Sequence, residues 1–214
     1  MQEGAGMDDA YITTRRALHG VAELLLAGPQ HRRSGTIRLR VTPGGFGTVA
    51  EPELLVERLD LVAGGVHLPM DGVTFAALGS GLGLDVGAPR DLYHDGSGVA
   101  LDDVVRLDAD ATHAVADALA TGDDALRRLD PSQPPVLWPE HFDVALTLGE
   151  VNYGVSPGDA YLPEPYAYVG PWQSREGDFW NAPFGAAQPL AVLGAADAIL
   201  AFFHEGRRHA ASPF

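Results

Sequence analysis

The residues able to do chemistry crowd into one stretch, Trp138 to Phe184. It holds all three tryptophans (Trp138, Trp172, Trp180), four of the six tyrosines and both asparagines, Asn152 and Asn181. His141, Asp143, Glu150, Asp159 and Glu164 sit among them. Aromatic area mixed with a few convergent polar groups is what a small-molecule pocket is made of. A well-packed β-core with satisfied polar edges has the same composition.

Alternation sharpens the reading. Side chains of a strand point to opposite faces in turn. Over 141–148, Phe142, Val144, Leu146 and Leu148 share one face and His141, Asp143 and Thr147 the other. Over 150–155, Glu150 and Asn152 oppose Val151, Tyr153 and Val155. Over 164–169, Glu164, Tyr166 and Tyr168 oppose Ala167 and Val169. An antiparallel meander of these three strands has one apolar face for helices to cover. Its other face gathers His141, Asp143, Glu150, Asn152, Glu164, Tyr166 and Tyr168. Trp172, Trp180 and Asn181 then fold over it as a lid.

Three readings of this face stay open. It is a solvated sheet face with tyrosines bonded at its edge, a non-catalytic binding cleft in which aromatics supply area and polar groups orientation, or an enzyme site. In the enzyme reading, a hydrolase or isomerase, His141 with Asp143 or Glu150 makes a general base and its orienter. His141, Asp143 and Glu164 also carry the donor types of an oxygen-rich metal site. A His-x-Asp pair is common by chance, so we assign no catalytic residue, no metal and no cofactor. The expected function is binding of a small organic or anionic molecule at this face. A protein-interaction surface or homo-oligomer contact is the third possibility.

Other motifs are weaker. Ser156 lacks the Gly-x-Ser-x-Gly context of a nucleophile elbow. The string from Asp91 to Asp102 matches a calcium loop at positions one, five, six and twelve. It departs from one at Tyr93, and at Asp102, where a glutamate belongs. Gly79-Ser-Gly-Leu-Gly83 is not a dinucleotide fingerprint.

Composition excludes whole classes. No cysteine is present, which removes thiol nucleophiles, disulfides and thiolate metal sites. No lysine is present either, and all fourteen basic residues are arginine, which removes Schiff-base chemistry and the P-loop lysine. The net charge of -15 argues against nucleic acid or an anionic membrane as partner. No apolar run reaches the ~18 residues of a membrane span, and the acidic start lacks a secretion signal. We expect a cytoplasmic protein. Arginines 15, 16, 32, 33, 38 and 40 face a single acid, Glu23, in the same stretch. They form either a solvated basic face or an anion site.

The elements that position these residues are legible in outline. Residues 12–27 carry a helical stripe, Thr14, Leu18, Val21, Ala22 and Leu25, stopped by Gly28-Pro29. Residues 36–42 alternate as a strand, 43–47 turn, 54–63 and 66–68 are strands, and 74–83 is a weak helix. A helix capped by Asp110 runs to Leu129. The stiff segment 130–135 follows. Pro189 opens a last helix that Gly206 ends.

The segments Leu137–Ala145, Pro163-Glu-Pro-Tyr166 and Phe179–Gly185, with Thr14–Glu23 and Pro43–Thr48, resemble an uncharacterised family of high-GC, actinobacterial-type proteins of unknown function. The Phe142-Asp-Val-Ala145 core also resembles a broader bacterial domain of unknown function. Neither resemblance implies an activity or a catalytic residue. The expectation is an α+β fold of short antiparallel strands, in one curved sheet or two, packed on about three helices. It forms a single domain, 1–214, with 1–129 and 136–214 as possible lobes.

Overall fold

The computed structural model describes residues 4–89, 91–93 and 96–211, with side chains from Asp9 onward. The fold is α+β, and its paired strands run antiparallel. The chain forms two compact units, 1–117 with 137–142, and 118–136 with 143–214. The boundary runs through helix α4, Ala109–Leu129.

The first unit begins with one long helical run. Helix α1 (Gly4–Gly20) passes into a π-helical segment, Val21–Ala27, and then into α2 (Gly28–Ser34). The sequence predicts a stop at Gly28-Pro29, and the structure corrects this. Pro29 has no N–H, and its ring crowds the carbonyl four residues back. The widened π turn absorbs both effects. Gly28 N donates to Glu23 O, five residues back. Leu24 O, which an α-helix would have paired with Gly28, instead accepts from Gly87 N at 2.9 Å. The run ends at Gly35, whose φ of 76° only glycine adopts at no cost.

The strands of this unit are β1 (Leu39–Thr42), β2 (Gly45–Thr48), β3 (Leu54–Glu57), β4 (Asp60–Ala63) and β5 (Val66–Pro69), each paired with the next. The expected single strand 54–63 is a hairpin, reversed at Arg58. Strand β6 (Val136–Trp138) pairs with β1 through Leu137 and Leu39. Leu18, Leu25, Phe46, Phe75 and Phe142 are buried in this unit. Gln30 is wholly buried and fully bonded: its amide donates to Thr36 O and Arg38 O and accepts from Val49 N and Ala50 N. Helix α3 (Phe75–Gly81) is capped by Thr74. Helix α4 takes Asp108, not Asp110, as its N-terminal acceptor, through Ala111 N.

The second unit carries β7 (Asp143–Leu148), β8 (Val151–Ser156), β9 (Tyr166–Pro171) and β10 (Ala186–Pro189), paired in that order. The apolar face of Val144, Val155 and Val169 meets helices. Gly122 of α4 lies so close that a Cβ there would stand 2.6 Å from Val155 Cβ. The final helical stretch is broken at Gly194 (φ 78°) into α5 (Leu190–Leu193) and α6 (Ala196–Ala211). Gly206 does not end the helix as its sequence position suggests. It lies inside α6, where a Cβ would meet Val169 at 2.7 Å. Its role is close helix–sheet packing. No described helix is long and apolar enough to cross a membrane.

Candidate functional site

Trp138, Glu140 and His141 belong to the first unit. The rest of the expected site lies in the second, and each part is described within its own unit.

Strands β7, β8 and β9 bring Asp143, Asn152, Tyr166 and Tyr168 onto one face. Tyr168 sits opposite Gly154, and Tyr166 opposite Ser156. Tyr168 donates its hydroxyl to Asp143 Oδ2 in a short hydrogen bond. Its ring lies over Gly154, where a Cβ would approach the ring to 2.5 Å. Burial first, and then the Asp143 carboxylate, hold the Tyr168 phenol well above its ordinary range. Tyr166 donates to Asp159 Oδ2 at 2.6 Å, and burial with that carboxylate raises it likewise. Tyr161 and Phe184 close an aromatic cluster over these two rings, at a centroid distance of 5.0 Å from each other. This part of the face is a packed network of phenols and carboxylates.

The turn residues fall elsewhere. Glu150 is in the β7–β8 hairpin turn, where Gly149 and Glu150 have φ of 55° and 64°. Both central residues are left-handed, the geometry that matches strand twist in two-residue hairpins. Glu164 is exposed in the turn before β9. His141 is exposed in the turn after β6, and no ion pair of the described residues includes it. Trp172 is 65% exposed, and its indole donates to Asn152 Oδ1 at 3.3 Å; Thr147 bonds the same oxygen. Asn181 pairs with both backbone groups of Ala187 and so lengthens the β10 edge. Trp180 packs on Phe179, which stacks on His209 of α6.

A cavity of about 280 Å³ opens at the Glu150 end of the sheet. The hairpin turn, the chain after β9 and the last turns of α6 wall it. Two guanidinium groups, Arg175 and Arg207, line it together with Glu150, Gln173 and Tyr153. Arg175 Nη2 donates to Ala210 O at 2.9 Å, which fixes one edge of that guanidinium at the negative end of α6. Tyr153 is buried, which raises its phenol, while the Arg207 charge acts in the opposite direction. Neither arginine belongs to the expected face. Both lie beyond its strands, and only the fold brings them to Glu150. Their one sequence-level signal is that guanidinium is this chain's only strong cation.

Among the described residues, no three His, Asp or Glu side chains are grouped to hold a metal ion. The calcium-like string includes His94 and Asp95, outside the described residues. No family model, no curated protein and no solved structure matches the chain.

Proposed function

We propose that the protein binds a small organic anion, in the cavity of the second unit at the Glu150 end of the 138–184 segment. The observation that supports this is the pair Arg175 and Arg207 lining one cavity of about 280 Å³. Planar guanidinium groups match carboxylate and phosphate oxygens through two parallel N–H donors. Leu148, Val151 and Pro171 give the cavity apolar wall for a carbon skeleton. Glu150 at the rim selects for a ligand with a hydrogen-bond donor beside its anionic group. A cytoplasmic setting belongs to the same proposal, on the strength of the cysteine-free composition.

The reading predicts a ligand-dependent rise in melting temperature within a panel of small carboxylates and phosphate esters. Arg207→Gln, at an exposed position, removes that rise while leaving the unliganded melting temperature in place. A panel that shifts wild type and R207Q alike places the ligand elsewhere.

Trp172 favours a second reading. A tryptophan 65% exposed and bonded at its indole N–H to Asn152 suits a protein-interaction contact, including one between two copies of the chain. Light scattering at several concentrations, with Trp172→Ala as the comparison, tests it. A monomer at every concentration removes the self-association form.

The enzyme alternative rests on His141 acting with a nearby carboxylate. Its exposed place in a turn gives it little support.

A further inference from the structure

The first unit holds a second cavity, of about 370 Å³, whose walls include Arg38, Tyr93, Trp138 and Glu140. Its charges are opposite in sign and both are available. Glu140 Oε2 is buried and accepts no hydrogen bond among the described residues. A buried carboxylate oxygen left so costs free energy that a donor from a ligand would recover. Arg38 forms no ion pair among the described residues, and its guanidinium carbon lies 5.7 Å from the Trp138 ring centroid. That placement leaves its outward N–H groups for an acceptor.

The chain on both sides of Tyr93 is tied to the helical run. Glu23, 5% exposed within the π segment, accepts from Ser97 N at 2.9 Å and Ser97 Oγ at 2.6 Å. Gly96 packs so closely on this carboxylate that a side chain there would collide with it. Arg16 Nη2 donates to Gly98 O at 2.7 Å, and Arg32 pairs with Asp85 at 2.8 Å. Together with the bond from Gly87 N to Leu24 O, these ties fasten residues 85–87 and 96–98, on either side of Tyr93, to the helix. The Tyr93 hydroxyl faces both Glu23 and Glu140, and burial with these two carboxylates keeps its proton on.

We propose that this cavity binds a small zwitterion, its ammonium group on Glu140 and its carboxylate on Arg38, with Trp138 as the apolar surface for its side chain. A free amino acid has this chemistry. A plain amine leaves Arg38 unanswered and places a second cation near it. A plain acid leaves the buried oxygen of Glu140 unanswered and faces its charge. Only a ligand with both groups satisfies both walls, and each ionic hydrogen bond adds discrimination.

Calorimetry with glycine, leucine and phenylalanine tests this, with phenethylamine and 3-phenylpropionate as the analogues lacking one charge each. The titrations use the Arg207→Gln protein, so that anion binding in the second unit does not contribute. At least one amino acid binds, and each phenyl analogue binds about tenfold or more weakly than phenylalanine. Glu140→Gln removes the preference for the amino group, and Arg38→Gln removes the preference for the carboxylate. The proposal is overturned if none of the three amino acids binds at millimolar concentration. It is equally overturned if phenethylamine or 3-phenylpropionate binds as tightly as phenylalanine. The comparison of analogues on the Arg207→Gln protein stands even if the Glu140 or Arg38 variant fails to fold. Anion binding lost on R207Q with amino-acid binding intact separates this site from the one proposed above.

Discussion

Tyr168 reaches across strand β8 to Asp143, and it can do so because the residue beneath its ring is Gly154. The sheet gives up a side chain in its middle strand so that a phenol can lie flat and bond a carboxylate on the strand beyond. Gly154→Ala would push the ring off this path. Overpacking of a fitted interior costs about 1–3 kcal/mol. Urea denaturation of G154A should show a loss in that range, and a neutral result would mean the ring has room to shift.

Gly122 gives a sharper test, because two principles disagree there in sign. Replacing a glycine inside a helix by alanine stabilises by about 1 kcal/mol from backbone entropy alone. Here the new methyl would stand 2.6 Å from Val155 Cβ and 2.9 Å from Val144 Cγ1. We expect packing to win and G122A to be less stable than wild type. A gain in stability would show that α4 can lift from the sheet.

Gln30 joins α2, the chain before β1 and the chain after β2 through four hydrogen bonds inside the protein. Gln30→Ala leaves two backbone carbonyls and two N–H groups without that partner, each orphan costing about 1–3 kcal/mol where water cannot enter. A loss of roughly 3 kcal/mol or more is expected on denaturation. A loss under about 1 kcal/mol would mean water replaces the amide.

Stability should fall at both ends of the pH scale for identifiable reasons. His19 is stacked on Phe142 and bonded at Nε2 to Pro139 O at 2.7 Å. Burial holds its pKa below the ordinary value, against weaker opposing effects of Pro139 O and Glu23. The unfolded chain takes up a proton at about pH 6.5, and the folded one does so only lower. This contribution is therefore complete above that pH and is lost as pH falls. His19→Gln should flatten the change in stability between neutral and mildly acid pH. At the alkaline end, Tyr93, Tyr166 and Tyr168 keep their protons past the pH at which free phenols ionise, all three mainly through burial. Stability is full below about pH 10 and declines above it. Tyrosinate absorbance followed against pH should rise in step with unfolding.

The strand residues of the expected site were readable because alternation has a strict period of two. Asp143, Asn152, Tyr166 and Tyr168 share a face for that reason alone. The turn residues were not readable. Glu150 continues the alternating pattern of its strand, and Gly-Glu is not the usual sequence of a two-residue turn, so the pattern does not say that Glu150 itself belongs to the turn. Pro29 misled in the opposite direction. A proline normally stops a helix, and nothing local says that a π turn and a distant Gly87 will jointly relieve it. Gly206 read as a terminator because helix ends favour glycine, whereas its cause is Val169, a neighbour in space only. Arg175 and Arg207, thirty-two positions apart, carry no shared pattern, and only folding puts them beside Glu150.

The π turn also bears on how this chain can change its length. Such a turn holds one residue more than an α-helix of the same rise. Deleting a single position between Val21 and Ala27 would let the helix tighten without shifting its ends along the axis. The same deletion would change the side-chain directions within the turn itself, where Glu23 meets Ser97. It would also return Leu24 O to the helix and leave Gly87 N without its acceptor. The extra residue thus works as a catch between helix and loop: its loss would cost little as helix, yet it would release the chain at Gly87.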